Sequence, residues 1–154
     1  MMEEVVFNAH NKAEFPPMHT CEHILNATMV KKFGCQRSFS NHIEEKKSKC
    51  DYHFDRPVTE EEIADIEKRV NDVIGQNLPV TYSIISRDEA EKRFFTGNLP
   101  KDASDTIRIV SVGDYDACPC IGTHVSNTSE IGTFKITSFD FNDNVLRIRF
   151  KLLR

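Results

Sequence analysis

No stretch of this 154-residue chain is long and apolar enough to span a membrane as a helix. Its first residues, Met1 to Ala9, carry Glu3 and Glu4 where an export signal needs a basic start and an apolar run. A soluble, cytoplasmic protein is the expectation. A disulfide framework is missing too. The five cysteines, Cys21, Cys35, Cys50, Cys118 and Cys120, are odd in number, and without an export signal they read as reduced thiols, some of them available to a metal. Strong charge of either sign is absent: the net charge is −4, which does not announce a nucleic-acid binder and leaves that question to local basic patches. There is no internal repeat, low-complexity tract or linker, so residues 1–154 read as one domain, long enough to bury a core.

What is present is a run of well-punctuated elements. Val5 to Phe7 is a candidate N-terminal strand. Pro16 and Pro17 suit a helix start, Met18 to Phe33 are helix formers, and Gly34 is a C-terminal stop. Apolar residues on most sides of that helix predict that it is largely buried. Ser40 to Ile43 and Cys50 to Asp55 read as a hairpin around Glu44-Glu45-Lys46-Lys47. Thr59-Glu60-Glu61-Glu62 is a capping box opening a helix that runs to about Asn77, with Ile63, Ile66, Val70, Val73 and Ile74 at helical spacing. Val80 to Ile85 is a strand, Ser86 to Glu89 a second capping box for a short helix to about Phe94, and Asn98 to Asp105 a loop. Ile107 to Val112 is a strand, and Asp114 to Thr128 is rich in turns. Gly132 to Phe141 and Val145 to Leu152 form a hairpin across Asn142-Asp143-Asn144. The mixture predicts an α+β fold with a mainly antiparallel sheet packed against helices.

Two short segments carry the chemistry. His19 and His23 stand one helical turn apart, so both rings can face one ion. Cys120 and His124 repeat the spacing, with Gly122 allowing a tight turn between them and Pro119 restricting the approach. Three imidazoles and a thiolate suit a tetrahedral Zn²⁺. The bland alternative is a buried thiol near a surface histidine. The first pair is not the zincin motif, because Glu22 precedes the second histidine and is expected to point to a different face, so a metalloprotease lacks its general base. Cys118-Pro119-Cys120 lacks the spacing of a thioredoxin-like pair, and Cys118 reads as a neighbour rather than a ligand. Cys21 reads as a small buried residue, His42 and His53 as partly exposed strand histidines, and His10 as a surface residue.

These segments sit within a longer pattern. His19-x-x-x-His23 and Cys120-x-x-x-His124 are joined by Gly122-Thr123-His124-Val125, Thr128, Glu130-Ile131-Gly132, Phe134-Lys135-Ile136, Phe54-Asp55-Arg56-Pro57 and the final hairpin. In that order, over nearly the whole chain, they resemble the editing domain of alanyl-tRNA synthetases (the threonyl/alanyl-tRNA synthetase second additional domain). More closely, they resemble the small free-standing AlaX-type editing proteins. The segment from Cys35 to Lys49 matches poorly, Ile121 replaces a common glycine, and Glu22 stands where the synthetases often have threonine.

The resemblance implies a hydrolase that cleaves the ester of a wrong amino acid, chiefly serine or glycine, on tRNA for alanine. It would act in trans, without ATP and without an aminoacylation core. It implies zinc on His19, His23, Cys120 and His124. Ser40 falls where the family places a side chain that helps read serine, and Gly122 and Thr123 fall at the substrate. Zinc would supply Lewis acidity or position the substrate, four protein ligands leave no open corner, and no general base is identifiable. Backbone N–H groups near Gly122 are candidates for holding an oxyanion. Selectivity would follow sieve logic, a second site destroying what a synthetase pocket cannot reject. The basic groups Lys31-Lys32, Lys46-Lys47-Lys49, Lys68-Arg69, Lys92-Arg93 and Arg147-Arg149-Lys151-Arg154 are the candidate tRNA contacts. Competing expectations are a non-catalytic zinc-stabilised RNA-binding module, a thiol redox protein using Cys118 and Cys120, and a hydrolase of another small ester or amide.

Overall fold

The computed structural model describes residues 15–94 and 105–154. The strand expected at Val5 to Phe7, His10 and most of the loop from Asn98 lie outside them. The first helix, α1 (Pro16–Phe33), starts on two prolines, whose missing N–H groups cost nothing at a helix start. It ends where Gly34 turns left-handed (φ 71°) and donates its N–H to the Val30 carbonyl. Every residue from Pro17 to Met29 is buried, as its all-round apolar character predicts.

Two short strands follow, β1 (Ser40–His42) and β2 (Ser48–His53). Helix α2 (Glu60–Ile74) has the full capping box: Thr59 Oγ1 accepts the Glu62 N–H, and Glu62 accepts the Thr59 N–H. It stops at Ile74, short of the expected Asn77, which has a positive φ that a helix cannot hold. Strand β3 (Val80–Ser86) leads into α3 (Arg87–Arg93), capped by the Ser86 hydroxyl. Then come β4 (Thr106–Val112), β5 (Asp116–Pro119), a 3₁₀ turn (Thr128–Glu130), β6 (Thr133–Asn142) and β7 (Val145–Leu153). The β6–β7 hairpin turns on Asp143 and Asn144, both with positive φ, the pair of left-handed residues that a tight type I′ turn needs.

The architecture is α+β, with two antiparallel sheets among the described residues: β1-β2-β7-β6 and β3-β4-β5. In β7, Leu146, Ile148 and Phe150 point inward and alternate with Arg147, Arg149 and Lys151. These side chains meet Met18, Leu25 and Met29 of α1, Ile66 and Val70 of α2, and Val110 and Val112 of β4 in one core. Helix α1 therefore packs against α2 on one side and reaches β5 on the other. That second contact brings residue 20 to residue 120.

Candidate metal centre

β5 delivers the second ligand pair. It is a four-residue strand within the segment read as rich in turns, and it exists through pairing with β4, Cys118 facing Val110 and Pro119 facing Ile109. Cys120 continues this register by donating its N–H to the Arg108 carbonyl. Arg108 in turn donates Nε–H to the Cys120 carbonyl at 2.8 Å and Nη2 to that of Gly122, fixing the loop from both sides. Thr20 of α1 closes the junction, its Oγ1 accepting the Val125 N–H at 3.2 Å.

His19, His23, Cys120 and His124 converge, their ligand atoms all within 4.8 Å of one another. Cys120 Sγ is 3.5 Å from Nε2 of His19 and 3.5 Å from Nε2 of His124. A tetrahedral ion with Zn–S of about 2.3 Å and Zn–N of about 2.0–2.1 Å has S···N edges of about 3.5 Å, so both edges have the right length. The other nitrogen of each ring is occupied. His19 Nδ1 donates to the Thr123 carbonyl at 3.0 Å, and because a carbonyl only accepts, the hydrogen sits on Nδ1 and Nε2 carries the lone pair. His124 Nδ1 bonds with Thr20 Oγ1 at 2.9 Å. His23 Nδ1 lies 3.3 Å from Cys118 Sγ and 3.7 Å from Asp116 Oδ2. Partners of this kind orient imidazoles toward a metal. The donor set therefore fits a zinc-type ion.

The electrostatics agree. Burial lowers His19 to about 4, Arg108 adding to the drop and the Thr123 hydrogen bond opposing it. Burial, then His19 and Arg108, lowers His124 to about 2. Burial and the neighbouring imidazoles hold His23 well below its ordinary value. All three rings are neutral near pH 7, the form that ligates.

Other sequence expectations are placed as follows. Cys21 is fully buried, as expected. Cys118 is buried and its thiol is pushed up by that burial, which keeps it protonated and unreactive and argues against a redox pair. His42 is exposed beside Glu44, and His53 is exposed and stacked on Phe39. Thr123 is exposed at the loop with its carbonyl on His19. Gly122 is buried, and its N–H points at Cys120 Sγ (3.4 Å), so it supports the thiol rather than an oxyanion. Ser40 is exposed on β1. Among the basic groups, Lys32, Lys68, Arg69, Arg93, Arg147 and Arg149 are paired with carboxylates.

One expectation is corrected. Glu22 does not point away from the histidines. It is buried, with Oε1 3.8 Å from His19 Nε2 and 3.9 Å from His23 Nε2. A residue three positions after His19 lies only about 60° around a helix from it, and a helix buried on all sides offers the carboxylate no solvent to turn to. Burial raises Glu22 to about 7, while Arg37 and a hydrogen bond from Asn26 pull it down and Asp116 pushes it up. Asn26 Nδ2 donates to Glu22 Oε2, and Asn26 Oδ1 accepts from Tyr52 Oη (2.8 Å) and the Ser38 N–H (3.1 Å). Arg37 grips both oxygens of Asp116, at 2.7 and 3.2 Å. Sequence reasoning missed Arg37, Asp116 and Arg108; the one available signal was Glu22, the only acidic residue in the helix and one that falls in its buried stretch, Pro17 to Met29.

Comparison with known proteins adds the context. Residues 107–149 match the family described as the threonyl and alanyl tRNA synthetase second additional domain. The alanine–tRNA ligase of Caldicellulosiruptor saccharolyticus is 36% identical over 121 residues, 78% of this chain and 14% of that protein. That of Fervidobacterium nodosum is 38% identical over 121 residues, again 78% and 14%. That of Methanococcus vannielii is 32% identical over 151 residues, 93% of this chain and 16% of the ligase. At 93% the similarity runs across both ligand pairs. The chain thus spans only a small part of the length of these relatives.

Proposed function

We propose that this chain, whose residues 107–149 match the threonyl and alanyl tRNA synthetase second additional domain and which is similar to alanine–tRNA ligases over most of its length, is a zinc-dependent aminoacyl-tRNA deacylase. Its substrate is seryl- or glycyl-tRNA for alanine, hydrolysed in trans by residues 1–154 acting as one editing-type domain. The observation that carries the reading is the four-donor cluster in which each imidazole's second nitrogen is already engaged.

His19, His23, Cys120 and His124 would hold the ion. When bound, it supplies Lewis acidity toward an ester carbonyl. The chain's own groups do the rest. Thr123, Thr20, Asp116 and Cys118 set the rings, and Arg108 holds the Cys120–Gly122 carbonyls so that the loop keeps its shape. Ser40 is the proposed reader of the serine hydroxyl, and Gly122 and Thr123 are the other proposed substrate contacts. An aminoacyl ester is already activated, so ATP is not required. The proposed partner is aminoacylated tRNA in the cytoplasm; no helix among the described residues is long and apolar enough to cross a membrane. Because several basic groups are already paired, the tRNA contacts come from the remainder, and binding should weaken steeply as salt rises.

Four protein donors also favour a second reading, a zinc-stabilised RNA-binding module without catalysis. One experiment separates them. Zinc-loaded protein is incubated with seryl- and alanyl-tRNA for alanine, with and without chelator. Chelator-sensitive loss of the serine ester, with the alanine ester spared, is the expected result. Tight tRNA binding with neither ester cleaved would leave the module reading standing and the deacylase reading refuted.

A further inference from the structure

Glu22 is the group at the cluster that the ligand set leaves unused. Its side chain is almost fully buried, one oxygen taken by Asn26, the other facing Nε2 of His19 and His23. The second carboxylate there, Asp116, is differently committed: Arg37 occupies both of its oxygens. Charge makes the contrast useful. Three neutral imidazoles and one thiolate around a dication would leave a net positive centre, and Arg108 adds positive charge to its surroundings, as its depressing effect on His23 records. An aminoacyl ester brings an α-amino group of the same sign. An acceptor beside it would offset that repulsion, and Glu22 Oε1 is the carboxylate oxygen that faces Nε2 of His19 and His23.

We infer that Glu22 receives the α-amino group of the aminoacyl ester and restricts the site to substrates in which that group is free. The inference rests on the deacylase reading and names a specificity determinant for it. Asn26 is then a positioning residue: held by Tyr52 and the Ser38 N–H, it fixes the carboxylate through Oε2 and leaves Oε1 to the ligand.

The test is calorimetric binding of a non-hydrolysable analogue, adenosine carrying a 3′-amide-linked serine, against the same compound lacking the α-amino group. Metal-loaded wild type and Glu22→Gln are compared, with zinc content measured on each. Wild type should prefer the amino compound by ~10–100-fold, the worth of a charge-assisted hydrogen bond. Glu22→Gln should lose most of that preference at unchanged zinc content and bind the des-amino compound as wild type does. Equal binding of the two compounds by wild type overturns the inference, a comparison that needs no variant to fold. Unchanged preference in Glu22→Gln with a slower deacylation rate overturns it too, and assigns Glu22 to the hydrolytic step. Deacylation of seryl-tRNA by wild type that binds both compounds equally sinks the Glu22 assignment alone. Failure to deacylate or to bind either compound sinks the deacylase reading with it.

Discussion

Replacing Asn26 with alanine tests the buried network from its centre. Asn26 is 2% exposed and Tyr52 0%, so what the amide leaves behind cannot turn to water. The substitution orphans two donors, Tyr52 O–H and the Ser38 N–H, and removes a donor from Glu22 Oε2. At about 1–3 kcal/mol for each buried group left unsatisfied, Asn26→Ala should cost about 4 kcal/mol. With a urea m-value of about 2 kcal/mol/M for a domain of this size, the midpoint should fall by about 2 M at unchanged m. The sign of a second substitution is sharper. Tyr52→Phe should destabilise wild type by about 1 kcal/mol but stabilise the Asn26→Ala protein, because there it deletes an orphan. The Cys50 thiol, which also lies against Ser38 and Tyr52, is too weak a partner to rescue the hydroxyl. A midpoint shift under about 0.5 M, or additive behaviour of the pair, would refute the network.

Other outcomes follow from the same geometry. In metal-free protein His19, His23 and His124 have folded pKa values below the unfolded value of about 6.5, so as pH falls below it the unfolded chain takes up protons that the folded one refuses. Glu22, raised to about 7, opposes them between its unfolded value near 4.5 and about 7 by holding a proton in the fold. Three against one means urea stability should decline from pH 6.5 downward, more steeply in Glu22→Gln; a flat profile would contradict the neutral, buried state of the rings. His19→Ala should lower bound zinc and abolish deacylation; a zinc-free variant that deacylates at the wild-type rate would remove the metal from the reaction. Gly132→Ala should destabilise by about 2 kcal/mol, because Gly132 has φ 99° and an added Cβ would sit 2.8 Å from the Leu153 carbonyl oxygen, a strained backbone and a clash together. Its thermal midpoint checks this.

The parts of the fold legible in sequence are those decided within a few residues. Gly34 ends α1 because only a residue tolerant of positive φ fits there, and Thr59 and Glu62 cap α2 by bonding each other's backbone. β5 was not legible: Asp-Ala-Cys-Pro has no alternation, and its strand exists only because β4 lies alongside. The pairing of β2 with β7, which joins the two hairpins into one four-stranded sheet, is a contact between residues about a hundred positions apart. The ligand set was legible because metal chemistry limits the residue types and spacing. Its supports were not. Thr123 serves through a backbone carbonyl, which every residue has, and Asp116 and Arg37 meet across 79 positions. Glu22 was misplaced because helical phase describes faces, and a helix without a solvent face lets a long side chain settle where charge draws it.

Whether the ion holds up the fold or only the site is decided by where the apolar contacts lie. In small metal domains the ligands replace a core, and removing the ion unfolds the chain. Here Met18, Leu25 and Met29 of α1 already join α2 and both sheets in one cluster, with Tyr52, Phe134 and Phe150 fully buried in it. None of these contacts passes through the metal. The rings are also held before any ion arrives, through Thr123, Thr20 and the Asp116–Cys118 side of His23. Chelation should therefore abolish ester hydrolysis while leaving the far-ultraviolet circular dichroism and the cooperative urea transition in place. The loss of stability should match the binding term, about 4 kcal/mol when the ion had been present at a thousandfold over its Kd. Chelated protein that loses its cooperative transition altogether would show instead that the four donors carry the fold, and the argument from the apolar core would be wrong.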